Sequence, residues 1–541
     1  MSTNILSISL AALSAAQAGI RTTQQNISNV NTPGFRRQQV NYSNSTPFYS
    51  GMVTAGSGVK VDGVSRIYDR FLENQVLLSQ AQLSRYDAYA TYTSQVDSLL
   101  GNSYTGLSTG LNDFFGAANE VANDPTSVAA RQMLLTSGEN LAGRINNLND
   151  VMAGMQSGMN NQMSAIADQV SNYAKHVAQL SDQIALQEGT TGQTANDLRD
   201  MRDQVAAEIN KLVNVTSFTQ QDGTYGLYIG SGQPLVVGNT ASTMVMKTDP
   251  VDPRQQVPAL VVNGVQIPLN TTLITGGQLG GMLSFREEVL NPAQQDLARM
   301  AASFAMAFNT QHRAGFDQDG AAGSNFFANL AVPQTGTTPA INLDLVDDRQ
   351  LIPGNYQLSF DGSNYTLVNG QDASVIGTYA SLGSLNTALA TRGFQLSAAP
   401  SGAGAWNINF DDYPRQMTVA IDDVRKVAAA STTGSPGDNT NALALAGLQT
   451  DPVMNGGTAS FKTFYSQVSS RVANQAHAAD ASQKAYDVLT KQAYEASQSV
   501  SGVNLDEEAA NLIRYQQAYQ AAAKAMQISS SLFDEILAIA R

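Results

Sequence analysis

Three histidines, two acidic pairs and one Asp/Gly turn are the residues of this chain whose types offer chemistry. His176, His312 and His477 lie far apart, no H-E-x-x-H pattern surrounds them, and no G-x-S-x-G or P-loop sequence occurs elsewhere. They are expected to be surface histidines on helices. Asp317-Gln318-Asp319-Gly320 begins like a calcium loop, which needs a bidentate Glu at its twelfth position. Ala328 stands there, so a plain turn is expected. Asp347-Asp348 and Asp411-Asp412 would have to flank a cleft to cleave a glycoside. Adjacent side chains of a strand face opposite ways, so both pairs are expected in solvated loops. Gly276, Gly277, Gly280 and Gly281 lack the dinucleotide-binding spacing and read as turn residues ahead of a helix. The absence of cysteine removes thiol nucleophiles, disulfide frameworks and Cys-based metal sites. These residues point away from an enzyme, and no metal or cofactor is expected.

The strongest patterns are instead at the two ends. Leu6, Leu13, Ile20 and Ile27 fall seven residues apart, with Leu10 on the neighbouring row. Leu505, Leu512, Tyr519, Met526 and Phe533 repeat the spacing at the other end. A seven-residue apolar repeat is the seam of a coiled coil, and an isolated helix of this kind is marginal in water. Each end therefore needs a partner, and the two rows are read as assembly seams. Thr32-Pro33-Gly34 stops the first helix; Asn504, with Glu507 three residues on, starts the last.

Between these ends, 541 residues suggest about three or four structural units. Residues 35–65 read as an extended linker with short strands. Asp124-Pro125 reads as the start of a long helix running to about Gln187, with Gly154 or Gly158 as the place for a break. A further helix covers about 194–212. Short β runs punctuated by Asp222-Gly223, Gly230-Ser231-Gly232 and Asn263-Gly264 fill 213–282. Helix returns at about 283–313, where Asn291-Pro292 predicts a kink or restart. A second β region covers 325–415, with Asp361-Gly362 turning between Tyr356–Phe360 and Tyr365–Val368. Helix covers 459–500.

The expected fold is α+β and multidomain. Paired terminal coiled-coil helices (1–34 with 503–541) join a long-helix body (35–324 with 416–502) that carries the small β insert 213–282. An antiparallel β-domain (325–415) is inserted into the body. The net charge of −14 argues against nucleic acid and anionic membrane surfaces. No apolar run reaches the roughly 18 residues of a membrane span. No Lys or Arg precedes Arg21, unlike a cleavable signal peptide.

Two further stretches carry a resemblance. Ser28-Asn29-Val30-Asn31-Thr32-Pro33-Gly34-Phe35 resembles the N-terminal signature of bacterial flagellar rod, hook and hook-associated proteins. Ser501 to Glu508, continuing through Asn511-Leu512-Ile513-Arg514-Tyr515, resembles their C-terminal signature. Asp124-Pro125 ahead of Ala129-Ala130-Arg131-Gln132, Asn196 to Gln204, and Phe308 to Gly320 are similar to the hook-associated protein 1 (FlgK) family. Hook and distal rod proteins share both end signatures, but are usually dominated by β-structure between them; flagellin lacks the Thr-Pro-Gly-Phe turn. The resemblance implies a structural protein joining hook to filament, exported unfolded by the flagellar type III apparatus without a cleaved signal peptide. Implied partners are the hook protein, hook-associated protein 3, further copies of the chain, and an export chaperone at the C-terminal helix.

Overall fold

The computed structural model describes residues 2–539 apart from 46–47, 51–52, 56–57, 103–105, 221–223, 231, 251, 263, 329–333, 338–339, 348–349, 353 and 371–373. Gly223, Ser231 and Asn263 of the expected turns, and Asp348, lie outside the described residues.

Eleven helices follow in chain order among the described residues: α1 (Ser2–Ser28), α2 (Arg70–Gly101), α3 (Leu107–Asn123), α4 (Val128–Thr191), α5 (Asn196–Leu212), α6 (Gly277–Phe285), α7 (Asn291–Arg313), α8 (Leu382–Ala390), α9 (Thr440–Gly447), α10 (Phe461–Ser501) and α11 (Leu505–Ile539). α1 packs along α11, and α2 packs along α10, so both ends of the chain return to their beginnings. Residues 35–65 are more ordered than a linker. Strand Gln38–Asn44 pairs antiparallel with Val59–Arg66 and lies against α1.

The long helix α4 runs 64 residues without a break at Gly154 or Gly158. Its start differs from the expectation at Asp124-Pro125. The Asp124 carboxylate instead accepts from the Thr126 amide and hydroxyl, at 3.1 and 2.8 Å, which closes a turn. Ser127 is the cap, its hydroxyl accepting from the Ala130 amide. α3, α4 and α7 meet in an aromatic core. Phe114, Phe304, Phe308, Phe326 and Phe327 are all buried there, in edge-on or tilted ring contacts 4.9–6.0 Å apart.

The glycines at 277, 280 and 281 lie inside α6 rather than ahead of it. A Cβ on Gly281 would stand 2.2 Å from the Arg85 carbonyl, so glycine lets α6 lie directly on α2. At Asn291-Pro292 the rod neither kinks sharply nor restarts. A π turn, Arg286–Leu290, joins α6 to α7. Pro292 has no N–H to give the Glu288 carbonyl, and the Gln475 amide of α10 donates to it instead, at 3.0 Å.

The β insert is a four-stranded antiparallel meander over 215–241 followed by a three-stranded sheet over 243–268. The outer β region builds a five-stranded antiparallel sheet in which Asn355–Phe360 lies between Gly404–Asn409 and Tyr365–Asn369. Asp361-Gly362 makes the expected turn: the Asp361 carboxylate accepts from the amides of Ser363 and Asn364, and Gly362 adopts φ +98°. The sequence reading missed α8. It is capped by Ser381 and packs Leu385 and Leu389 under the sheet.

Candidate assembly site

The two ends meet antiparallel. Arg37, beyond the C-terminal end of α1, pairs with Glu507 and Glu508 in the first turn of α11. Gly19, further back in α1, lies under the ring of Tyr515, further along α11. The face of α1 that this pairing covers is made of small and polar residues: Ser9, Ala16, Gly19, Thr23 and Asn26. On α11, Glu508, Ala522 and Ser529 are buried.

The apolar rows occupy other positions. Leu6 and Leu10 are 43% and 56% exposed and Leu505 is 51% exposed. Leu13, Ile20, Ile27, Leu512, Tyr519 and Met526 flank the contact and are half-buried. Phe533 is in α11, but its side chain lies outside the described ones. The expectation that pairing buries the apolar rows is therefore corrected within one chain. Helices approach most closely where side chains are smallest. A Cβ on Gly19 would sit 2.7–2.8 Å from the Tyr515 ring, so the small row becomes the inner one. Ile513, Ile528 and Leu532 add to the exposed apolar surface of α11.

The turn motif sends the chain back along α1. Thr32 donates to the Asn29 side chain at 3.1 Å, and Gly34 adopts φ +79°, where a side chain would be strained. Asn31, Thr32 and Pro33 are exposed and Phe35 is half-buried. Asn26 then closes the loop: its amide donates to the Gln38 carbonyl and its oxygen accepts from the Gln38 N–H, both at 2.9 Å.

Two successive arginines follow this turn and reach opposite ways. Arg37 takes the α11 carboxylates at 2.7 Å, and Glu508 is only 2% exposed. Arg36 reaches the body, contacting Glu73 of α2 and, at 2.6 Å, Asp203 of α5. Arg66 bonds Asp200 and Asp203 at 2.6 and 3.0 Å. Asp197 accepts from Gln38 at 2.8 Å and from Gln25. Burial would raise the Asp203 carboxyl, but Arg36, Arg66 and Arg202 outweigh it and hold it below its ordinary value. Burial wins at Asp200 and Glu73, whose carboxyls are raised despite their arginines. One acidic face of α5, with Asp197, Asp200 and Asp203 three residues apart, thus fixes the terminal unit to the body. That spacing, set against back-to-back Arg36 and Arg37, is the signal that the sequence reading passed over.

The other candidates are structural. The Asp317 carboxylate accepts from the amides of Asp319 and Ala321, a plain turn. Among the described residues no group of three or more His, Cys, Asp or Glu could hold a metal ion. His176 and His477 are exposed, but His312 is fully buried, which corrects the surface reading. Its Nδ1 donates to the Ser324 carbonyl at 2.6 Å and its Nε2 accepts from the Ala428 amide at 2.9 Å, which fixes a neutral tautomer. Burial pushes its pKa down to about 4. Asp411 is likewise buried rather than solvated. Arg254 bonds it at 2.8 Å and Asp252 at 2.9 Å, tying the outer β-domain to the insert.

Comparison with known proteins gives these features a common setting. Residues 93–327 match the model of the flagellar hook-associated protein FlgK helical domain, and residues 494–539 that of the flagellar basal body rod FlgEFG protein C-terminal. Flagellar hook-associated protein 1 of Escherichia coli (strain K12) is 34% identical over 553 residues, covering 99% of this chain and 100% of its own. The Salmonella typhimurium protein of that name is 33% identical over 563 residues with the same coverage, and the Bacillus subtilis one 24% over 557 residues, covering 97% and 96%. The solved structure of the flagellar hook junction protein FlgK from Burkholderia pseudomallei shares the fold, with a TM-score of 0.68 at 23% identity, over 79% of this chain and all of that one. With both end signatures and full-length identity to these relatives, the chain belongs to the flagellar hook-associated protein 1 family of structural proteins.

Proposed function

We propose that the chain polymerises at the distal end of the hook as a short zone and joins hook to filament. The observation that supports this most directly is the apolar surface left open on a paired terminal unit. Fully burying Leu6, Leu10, Leu505 or Ile513 against neighbouring copies would contribute about 1.5–3 kcal/mol per side chain. In this reading the terminal helices (1–34 with 503–541) form the tube core. The body (35–324 with 416–502) forms the wall, and the outer β-domain (325–415) projects from it. The hook protein lies on one side and hook-associated protein 3 on the other. Before export, a chaperone covers the C-terminal helix, because exposed apolar seams aggregate. The chain reaches the cell exterior through the flagellar export apparatus, without a cleaved signal peptide. It performs no catalysis and takes no cofactor.

The test uses the lack of cysteine. Ser401→Cys, on an exposed loop of the outer domain, accepts maleimide-gold in cells otherwise lacking the chain. Gold in one short band where the hook ends is expected. Gold along the hook or the filament would overturn the reading.

A further inference from the structure

The pairing of α1 with α11 has a weakness that its own repeat creates. Ser9, Ala16 and Thr23 lie seven apart on α1, as do Glu508, Ala522 and Ser529 (spaced by one or two repeats) on α11. Sliding one helix by seven residues again sets small residues against small ones, so most of the contact cannot tell the two alignments apart. Two places can. The Tyr515 ring fits only over Gly19, because a Cβ there would come within 2.8 Å of it, and Ala12 and Ala16 carry one. Glu508 is buried, and its carboxylate meets Arg37 Nε at 2.7 Å. After a slide of seven residues Arg37 would face Ser501 or Tyr515, and the Glu508 charge would be buried without a partner. Tyr42 of the hairpin strengthens the first place by bonding both the Ala15 carbonyl and Tyr515.

We propose that Gly19–Tyr515 and Arg37–Glu508 are register-setting pairs: together they select one of several near-equivalent alignments of the terminal helices. The register in turn decides which apolar residues stand exposed for neighbouring copies. This goes beyond the junction role, because its readout lies within a single chain.

Intrachain crosslinking on isolated flagella tests it. Thr23→Cys with Asn511→Cys samples the native alignment, since both residues line the same small hollow beside Arg37 and Tyr515. Thr23→Cys with Ala518→Cys samples a slide of seven. In the otherwise unchanged chain the native pair should link in preference by about tenfold or more, the size expected when a buried charge loses its partner. In Arg37→Ala/Tyr515→Ala chains the slipped link should become comparable to the native one. Arg37→Glu with Glu508→Arg should restore the preference while Tyr515 is intact. Variants that do not enter the flagellum are read on the secreted chain. An unchanged preference, loss of both links together, or failure of the charge swap to restore it would each overturn the proposal.

Discussion

Phe114, Phe304 and Phe308 of the body are sealed among other rings, while α1 meets α11 through serine, alanine, glycine and threonine. Both regions are built from long helices, yet they use opposite means. The body buries its largest side chains internally and needs nothing further. The terminal pair keeps its smallest side chains inside and leaves Leu6, Leu10 and Leu505 in contact with solvent. A fold that must be complete in one chain puts its apolar area inside. A surface that must wait for neighbours puts it outside, and relies on close approach and a few charges for its internal order.

The comparison breaks most sharply in the body. Phe308→Ala should cost about 3–5 kcal/mol, read as a lowered midpoint of denaturant unfolding, because the surrounding rings can refill the cavity only partly. Arg254→Ala should cost about 3–5 kcal/mol, since Asp252 and Asp411 are then left buried without their cation. Hydrogen exchange should localise that loss to the outer β-domain and the insert, leaving the aromatic core protected.

Acid provides an intermediate test. Folding lowers the His312 pKa from 6.5 to about 4, so the unfolded chain binds the proton more readily. The contribution of neutral His312 is complete above the unfolded value and is lost as pH falls through the window between the two. Its full size is about 3 kcal/mol. Urea unfolding across that window should show the slope, and His312→Gln should flatten it. The terminal pair should contribute little to it.

At the ends the expected stability effect is smallest and the functional effect largest. Leu10→Asp with Ile513→Asp should change unfolding of the body by less than about 0.5 kcal/mol, as for other exposed positions. Incorporation into flagella should nevertheless be abolished. Leu512→Asp and Phe533→Asp should act in the same way. Limited proteolysis of the soluble chain should trim both ends before the body; ends as resistant as the aromatic core would end the contrast drawn here.

Several of these features were legible in the residues. Asp361-Gly362 turns where it should, because the Asp side chain and a glycine at positive φ satisfy a tight hairpin locally. Asn504 caps α11, accepting from the Asp506 amide at 3.0 Å. The start of α4 was misplaced by a few residues, because Asp124 could cap a helix or close a turn, and Ser127 stood nearby as a competitor. Helix α8 escaped notice because its nine residues lie within a strand-rich stretch.

By itself, the sequence determined that the ends are helical, that they repeat every seven residues, and where they start and stop, since capping and periodicity act between residues a few positions apart. It could not determine which row of each helix faces inward. A heptad defines faces but not their occupants, and Gly19 beneath Tyr515 shows that close approach, rather than hydrophobicity, chose the inner one. Nor could it place Arg36 against Asp203, 167 positions away, or bury His312 against an amide 116 positions away. Those contacts exist because packing brings distant segments together and leaves their buried polar groups no water to bond.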